Sequence, residues 1–459
     1  AAPPRFARKI AQTTLVCCLC CLSRMIVRCA RDVLQNQQGI YFGVHAANAS
    51  WLGLANEQAM LEYVPRGQMD ARAQFNCSGI NMDCEIFAWG QTTTTVGDQG
   101  QRSNAALTAV QFANHWLYTR DVNWLKSHYL FPREVIAFFT DYLTLEADGK
   151  YHSLNDCLNE LCSGDLGDHA ESALRNDDPH VTIGLLRFLF PVVVEMAQTL
   201  GVDGDQLPKW QHIGANLAPY VDVAQPGNNT REARIYGRFR GALHPPRPNT
   251  QLTFSASWPG YDPELNVNTT LRQIDNNSAL YMQSFTCGNC FPLFPPGAVR
   301  SGVAVDATWN STLAAIDCGW QQNMLLRDGC TGMATEAIGG MAVASEALLG
   351  QGQHGWLALF PGLPLGQPAA FRNLRAIGGL LVSARRDSAG AVSSVMVTND
   401  ARDGHAQTVA LLSPWAGQAF VTTAEGTGAK PKVTAKHGAV GVYEFGAEIG
   451  AAYRIDAPK

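Results

Sequence analysis

The sequence predicts a mainly α-helical protein: a toroid of helical hairpins, partial at its N-terminus, followed by a small all-β sandwich. Three observations carry that prediction. Apolar residues recur at helical spacing from about residue 8 to about 360. The helices come in pairs separated by long loops rich in Gly, Asn and Asp, such as 146–177 and 221–262. After Pro361-Gly362-Leu363-Pro364 the pattern switches to short β-rich runs divided by Asp, Gly and Ser.

The elements follow in order. Residues 8–35 read as one buried helix. Its apolar stretch LVCCLCCL, Leu15 to Leu22, is too short to span a bilayer, and no small-residue cleavage site follows it. No plausible start segment precedes it, so a longer parent protein is expected. Residues 103–119 carry Ala106, Val110, Phe112, Ala113, Trp116 and Leu117 at helix spacing. Residues 122–145 follow, with Pro132 near a helix start. Asp178-Pro179 opens another that runs to about 199. Shorter helices are expected at 208–217, 268–282, 303–317 and 334–349. Strands are expected at Gly379–Ala384, Val392–Val397, Thr408–Leu412, Ala419–Thr423, Lys432–Ala435 and Ala439–Phe445. The division is a helical domain over 1–363 and a β-sandwich domain over 364–459.

Composition narrows the class. The chain has 459 residues, 46% of them hydrophobic and 16% charged. That balance suits a large buried core and excludes a disordered chain. The net charge of −5 and the lack of a basic block give nucleic acid no electrostatic foothold. No membrane span, metal or cofactor is expected.

Six Asn-x-Ser/Thr sequons, at Asn48, Asn76, Asn228, Asn268, Asn276 and Asn310, point to N-linked glycans and a secreted, extracellular or cell-wall location. Self-association or extracellular assembly stays open. Among 13 cysteines, the pairs Cys157/Cys162, Cys287/Cys290, Cys318/Cys330 and Cys77/Cys84 are candidate disulfides. The group Cys17, Cys18, Cys20 and Cys21 reads as core thiols. Cys287-Gly-Asn-Cys290 has metal or redox spacing but no second Cys/His pair nearby.

Three segments place acids where glycoside hydrolysis would need them. That chemistry uses two carboxylates, one protonating the leaving oxygen, the other activating water or attacking the sugar. NCSGINMDCEIFAWG, Asn76 to Gly90, puts Asn81, Asp83 and Glu85 at alternate positions and ends beside Trp89. YHSLNDCLNE, Tyr151 to Glu160, sets Glu160 beside Leu158 and Leu161, where partial burial would raise its pKa. In ATEAIGGMAVASEALLGQGQHGWLALFP, Ala334 to Pro361, Glu336 sits at a helix start, where the helix dipole lowers a carboxyl pKa, with Glu346 ten residues on. Each also has a plain structural reading: a polar loop edge, a surface carboxylate and a helix cap.

These segments resemble glycoside hydrolase family 95, the α-L-fucosidase and α-L-galactosidase family of six-hairpin glycosidases. The resemblance spans nearly the whole chain and implies an (α/α)6 toroid without the family's N-terminal β-sandwich and first toroid helices. INMDCEIFAW resembles the family's INxNxExxxW segment: Asn81 matches its first water-holding Asn, Asp83 replaces the second, and Glu85 and Trp89 match. Glu160 falls where the family carries its general acid, without the Ser-Pro context. Glu336 lies one position from the family's base, the strict match being Thr335. DPHVTIGLLRFLF and LPKWQHIGANLAPY resemble the helix pair after the acid loop, and Leu374-Arg375-Ala376-Ile377-Gly378-Gly379 resembles the start of the C-terminal β-domain. FSASWPG, Phe254 to Gly260, resembles a sugar-binding stretch but lacks its histidines, which argues against fucose.

The resemblance implies inverting hydrolysis of a terminal glycosidic bond in a glycan or cell-wall polysaccharide. Glu160 would be the acid and Glu336 the base, helped by Asn81 and Asp83. Glu85, Trp89, Trp258 and His354 would contact substrate. The lost histidines, the Asn-to-Asp change and the altered acid loop favour an alternative: a catalytically silent extracellular structural or glycan-binding glycoprotein.

Overall fold

A computed structural model describes residues 38–458, apart from 84, 87–91, 94–99, 159–175, 226–232, 243–255, 283–290, 320–325, 329–331, 335–339 and 351–354. The helix expected at 8–35, with its cysteine group, lies outside the described residues. So do Trp89, Glu160, Asn228, Glu336, His354, Cys84, Cys162, Cys287, Cys290 and Cys330.

The first part is helical. It comprises α1 (Leu54–Phe75), α2 (Asn104–Thr119), α3 (Val122–His128), α4 (Leu130–Tyr142), α5 (His180–Leu200), α6 (Leu207–Ala215), α7 (Thr269–Tyr281), α8 (Phe294–Arg300), α9 (Val305–Gly319) and α10 (Gly340–Leu348). Every residue of α2 is buried, and it packs on α4 and α5. It is the axis of a core that takes in Phe112, Trp116, Phe131, Phe138, Phe139, Leu186 and Phe190. α5 is the one described helix long and apolar enough to cross a membrane, yet 83% of its most apolar window is buried within the protein. Its apolar residues are the core of this fold.

Local chemistry sets the helix ends. Asp121 caps α3, its carboxylate accepting from the backbone N–H groups of Asn123 and Trp124 at 3.0 Å each. Asn268 caps α7 in the same way, through the Leu271 N–H. Residues 122–145 form two helices, and Pro132, expected near a helix start, lies in the first turn of the second. The break falls at Tyr129 because Pro132 has no N–H for the His128 carbonyl and its ring crowds that turn. The last of these residues, Thr144 and Leu145, pair as a short strand with Tyr151 and His152. α10 starts at Gly340, and Ala334, expected in that helix, is in a strand. The 22-residue α1 was not singled out by periodicity, since Pro65 and Gly67 interrupt a stretch with few apolar residues.

From Ala369 the chain is sheet-rich: β1 (Ala369–Ala376), β2 (Leu380–Arg386), β3 (Val392–Asn399), β4 (Gln407–Leu412), β5 (Val421–Ala424), β6 (Thr434–Ala435), β7 (Val442–Ala447) and β8 (Ala452–Asp456). One antiparallel sheet has the order β1-β2-β3-β8-β5, the other β4-β7-β6. Inward residues such as Leu380, Val382 and Ala384 alternate with less buried ones, and the two sheets share a core with Phe420, Phe445 and Tyr453. β1 and β8 were not read as strands; the other six fall within about three residues of their expected ranges.

The two regions are joined at the end of α2. Arg375 donates its backbone N–H to Ala46 O at 2.8 Å. Its guanidinium reaches Asn48 Oδ1 at 2.9 Å, Tyr118 O at 3.3 Å and Asp400 at 2.6 Å. The Gly378 N–H reaches Leu117 O at 2.8 Å.

Candidate functional site

Asn81 is held by a wedge. Gly79 has φ +70°, and a Cβ there would lie 2.2 Å from Glu134 O. A Cβ on Gly67 would meet Ile80 at 2.9 Å. Only glycines let this segment pass between α1 and α4. The Ile80 N–H then bonds Glu134 O, the Asn81 N–H bonds Gly67 O (both 3.1 Å), and Tyr63 OH donates to Asn81 O at 3.4 Å. The alternation expected over 81–85 sets Asn81 inward, but Met82 is equally buried, so both sides of the stretch face the interior. Asp83 is half-buried, and its charge acts on both Tyr63 and Arg66. Arg66 also holds Asp70 through Nε, at 2.9 and 3.0 Å.

Beside this segment lies the first turn of α2. Thr108 ties the parts together: it receives Gln38 Nε2 at 3.0 Å, donates to Asn104 O at 3.1 Å and touches Met82 Sδ at 3.6 Å. Gln101 donates to Ser103 Oγ at 2.7 Å. Around these contacts, Oδ1 of Asn81, Oε1 of Gln38, Oε1 of Gln101 and both terminal atoms of Asn104 are buried with no hydrogen-bond partner among the described residues. A buried amide group left unpaired costs about 1–3 kcal/mol. Five such atoms in one neighbourhood are a large outlay for a packing solution. Amides present donors and acceptors together, which is what a water or a sugar hydroxyl can pair with.

The stems of the 159–175 stretch, which carries Glu160, are clamped together next to the start of α5. Asp156 accepts from Thr182 Oγ1 at 2.6 Å, Ser153 Oγ at 2.8 Å and the Arg102 N–H at 2.8 Å. Burial pushes its carboxyl up to about 6 despite those bonds. Asp178 accepts from the Ser153 N–H at 2.8 Å and from His152 Nδ1 at 2.6 Å, and Asp177 accepts from the Asn155 N–H at 2.9 Å. Arg240 closes the cluster across Glu146 and Asp177.

The structure therefore brings Asn81 and Asp83 to one buried polar neighbourhood. Glu85 lies in a short strand paired with Thr93. Trp258 is 2% exposed; its Nε1–H donates to Pro292 O at 2.9 Å, and the Arg300 guanidinium covers its ring at 4.5 Å. Glu346 is fully buried in a two-bond pair with Arg300. Among the sequons, Asn76, Asn48 and Asn310 are exposed. The side-chain nitrogens of Asn268 and Asn276 are occupied by Glu264 Oε1 and Ser301 O. Cys77 is a free buried thiol, so its pairing with Cys84 is not formed.

Sequence reasoning missed Gln38, Gln101 and Asn104. A signal for Asn104 was present: Asn104, Thr108, Gln111 and His115 form a polar stripe at helical spacing on a helix otherwise apolar all round. A helix buried on every side has no solvent to satisfy such a stripe. The same stripe ends in a second polar group. His115 Nδ1 meets Glu57 Oε1 at 2.8 Å, and the Trp124 Nε1–H donates to Glu57 Oε2 at 2.9 Å. Burial holds the His45 and His115 rings neutral, each down to about 3, and pushes the Glu57 carboxyl up.

Comparison with known proteins finds a family match over part of the chain. Residues 34–228 match the model of the glycosyl hydrolase family 95 catalytic domain, so the family resemblance read from the motifs holds over the stretch that contains Asn81, Asn104 and Asp156. No curated protein matches the sequence. Among solved structures, a putative kojibiose phosphorylase from human microbiome aligns with TM-score 0.44 and 10% identity, over 91% of this chain and 60% of that one. The α-L-rhamnosidase from Dictyoglumus thermophilum aligns with TM-score 0.43 and 12% identity, over 92% and 46%. The Streptomyces avermitilis α-L-rhamnosidase, complexed with L-rhamnose, aligns with TM-score 0.43 and 11% identity, over 92% and 38%. The chain thus spans less than two thirds of the length of each of these proteins.

Proposed function

We propose that this protein is a secreted, N-glycosylated glycoside hydrolase that cleaves a terminal glycosidic bond in a glycan or cell-wall polysaccharide with inversion. The observation that carries the reading is the set of buried, unpartnered amides around Asn81 and Asn104, inside the stretch that matches the family 95 catalytic domain. In this reading residues 1–363 form an α/α toroid and 364–459 a β-sandwich. Asn81 orients the attacking water, Glu336 takes its proton, and Glu160 protonates the leaving oxygen. An inverting pair works with its carboxyls roughly 6.5–9.5 Å apart, leaving room for that water. Glu85, Trp89 and His354 are proposed substrate contacts, the buried Trp258 being enclosed by Pro292 and Arg300, and Asn48, Asn76 and Asn310 are the glycan sites with exposed side chains.

A second reading is favoured by Asp83. Its charge acts on Tyr63 and, less than Asp70 does, on Arg66, so it stands among interacting structural groups rather than alone as a base. A silent glycan-binding protein would keep the amide cluster and need no base.

The test is hydrolysis of a panel of oligosaccharides, with the anomer of the first product read by proton NMR, for the parent chain and for Asn81→Ala, Glu160→Gln and Glu336→Gln. The inverted anomer, with turnover reduced at least 100-fold in the last two variants, supports the proposal. A retained anomer rules out inversion, and full turnover in Glu160→Gln or Glu336→Gln rules out that residue. Glycan binding without turnover transfers support to the second reading.

A further inference from the structure

The proposed chemistry makes no use of one heavily buried titratable cluster among the described residues. Glu57, in the first turn of α1, is fully buried. Three imidazoles surround its carboxylate. His115 Nδ1, from α2, is 2.8 Å from Oε1; His45 Nε2, from the loop before α1, is 4.0 Å from Oε1; and His128 Nε2, from the end of α3, is 3.9 Å from Oε2. The metal-binding atoms of His45, Glu57 and His115 all lie within 4.8 Å of one another.

Two of these contacts are too long for hydrogen bonds and too pointed for packing. His45 Nδ1 is engaged by Ser50 Oγ at 3.1 Å, while Nε2, fully buried, makes no hydrogen bond of normal length among the described residues and faces the carboxylate, with the Gln111 backbone also near the ring. His128 Nδ1 lies 3.0 Å from Trp124 O, which can only accept, so that nitrogen carries the proton. In a neutral ring its Nε2 then directs a lone pair towards Glu57. Three imidazole nitrogens gathered on one buried carboxylate, two of them beyond hydrogen-bond reach of it, leave a space that suits a cation.

We propose that His45 Nε2, His115 Nδ1 and Glu57 bind a divalent transition-metal ion, with zinc the best fit. Two imidazoles and one carboxylate form a zinc ligand set. Bonds of about 2.0–2.2 Å in tetrahedral geometry place neighbouring ligand atoms about 3.3 Å apart. The observed 2.8 and 4.0 Å bracket that spacing. Closing the 4.0 Å edge by about 0.7 Å, and the third edge, which lies within 4.8 Å, by up to about 1.5 Å, with the His115 proton moved from Nδ1 to Nε2, completes the set without net proton loss. The outer contacts are in place: Ser50 orients His45, and Trp124 holds the second carboxylate oxygen. Three ligands leave one tetrahedral position, beside which stands His128 Nε2, 3.9 Å from Glu57 Oε2; closed by that fourth ring and buried, the ion has a structural role. It would fasten the 42–50 loop, α1 and α2 directly beneath the Arg375 joint, whose bonds to Ala46 and Asn48 flank His45 by one and three residues.

The experiment is metal analysis of the purified, glycosylated chain, followed by chelation and titration with Co2+ and Zn2+. One metal per chain is expected, with cobalt d–d absorption between about 500 and 650 nm at the intensity of a tetrahedral site. Metal occupancy should fall at least 10-fold in His45→Ala and stay unchanged when the exposed His212 is replaced, His212→Ala. Chelation should lower the Tm of the parent chain, and zinc should restore it. Should His45→Ala fail to fold, the parent titration decides alone. Sub-stoichiometric metal with no d–d band in the folded parent overturns the proposal, as does metal loss of equal size in His212→Ala.

Discussion

Two buried asparagines, one in each region, meet their surroundings in opposite ways. Asn399, at the end of β3, is fully buried and saturated. Its amide donates to Ala447 O at 3.0 Å and His405 O at 3.2 Å, and its oxygen accepts from the Ala401 N–H at 3.2 Å and Gln407 Nε2 at 2.8 Å. Asn104, at the start of α2, is 1% exposed and neither terminal atom has a hydrogen-bond partner among the described residues. The contrast extends outward. In the sheet-rich region the buried cations serve joints: Arg375 ties to the helices, and Arg386 donates to the carbonyls of Leu363, Pro364 and Gln367. In the helical region buried acids and amides gather at helix starts. One region uses polar burial to fix its own shape; the other keeps polar groups ready for something else.

The sharpest break of that contrast lies in the Arg300–Glu346 pair, which belongs to the helical region but is bonded like the sheet-rich one. Side-chain exposures are 6% and 1%, and the guanidinium makes bonds of 2.8 and 3.0 Å to the carboxylate. Arg300→Met leaves a buried carboxylate alone and should destabilise by about 3–5 kcal/mol. Replacing both, Arg300→Met with Glu346→Leu, should recover most of the loss. Urea unfolding of the single and double variants checks this; equal losses in both would show that the pair's worth is packing rather than charge. Close in size is Asn399→Leu, which keeps the side-chain volume but strands four hydrogen-bonding groups. A loss of about 3 kcal/mol or more is expected.

How much of this was legible follows the same division. β2, β3, β4 and β7 could be read because alternation and Gly/Asp turns are local signals. α2 and α5 could be read because apolar residues recur in them at helical spacing and Asp178-Pro179 marks the start of α5. The Asn81 segment was found by its motif. Asn104 was passed over because periodicity was read for apolar residues alone. His45, Glu57 and His115 could not be found at all: their separations of 12 and 58 residues make no motif, and no metal was expected. Only the packing of α1 on the neighbourhood of α2 brings them together.

A medium-sized effect sharpens the comparison through pH. Burial raises Asp156 to about 6 in the folded protein, above the ordinary value of 3.8. A carboxyl raised in this way holds its proton better folded than unfolded. It therefore adds stability as pH falls through about 6, levelling off near 4, and contributes none of that gain above 6. The slope is about 1.4 kcal/mol per pH unit. Asp275, buried among Ser257, Ser301 and Tyr236 and also raised to about 6, has the same sign. The stability of the parent chain minus that of Asp156→Asn should thus rise by about 1–3 kcal/mol between pH 7 and pH 4.5. Thermal or urea unfolding at the two pH values measures it, and a flat or falling difference would mean that Asp156 is solvated in the folded state.

The smallest change in stability carries the most information about function. Asn104→Leu removes two buried polar atoms that have no partner among the described residues and replaces them with an apolar group of similar shape at the start of a helix. Where a buried donor and acceptor are unpaired, such a change is neutral or stabilising, because the desolvation cost vanishes and nothing is left stranded. The expected shift is between zero and about 1 kcal/mol in favour of the variant. Turnover or glycan binding should nonetheless fall at least 10-fold, since Leu cannot pair with a water or a sugar hydroxyl. That combination, stability kept or gained and function lost, is the mark of a group retained for a ligand. Asn399→Leu is the control, losing stability for a purely internal reason. If Asn104→Leu is as destabilising as Asn399→Leu, the amide is part of the packing, and the neighbourhood of Asn81 loses its claim to be a site. If Asn104→Leu is stable and function is untouched, the polar start of α2 serves neither purpose, and any ligand must be met elsewhere, at the loops that carry Glu160 and Glu336.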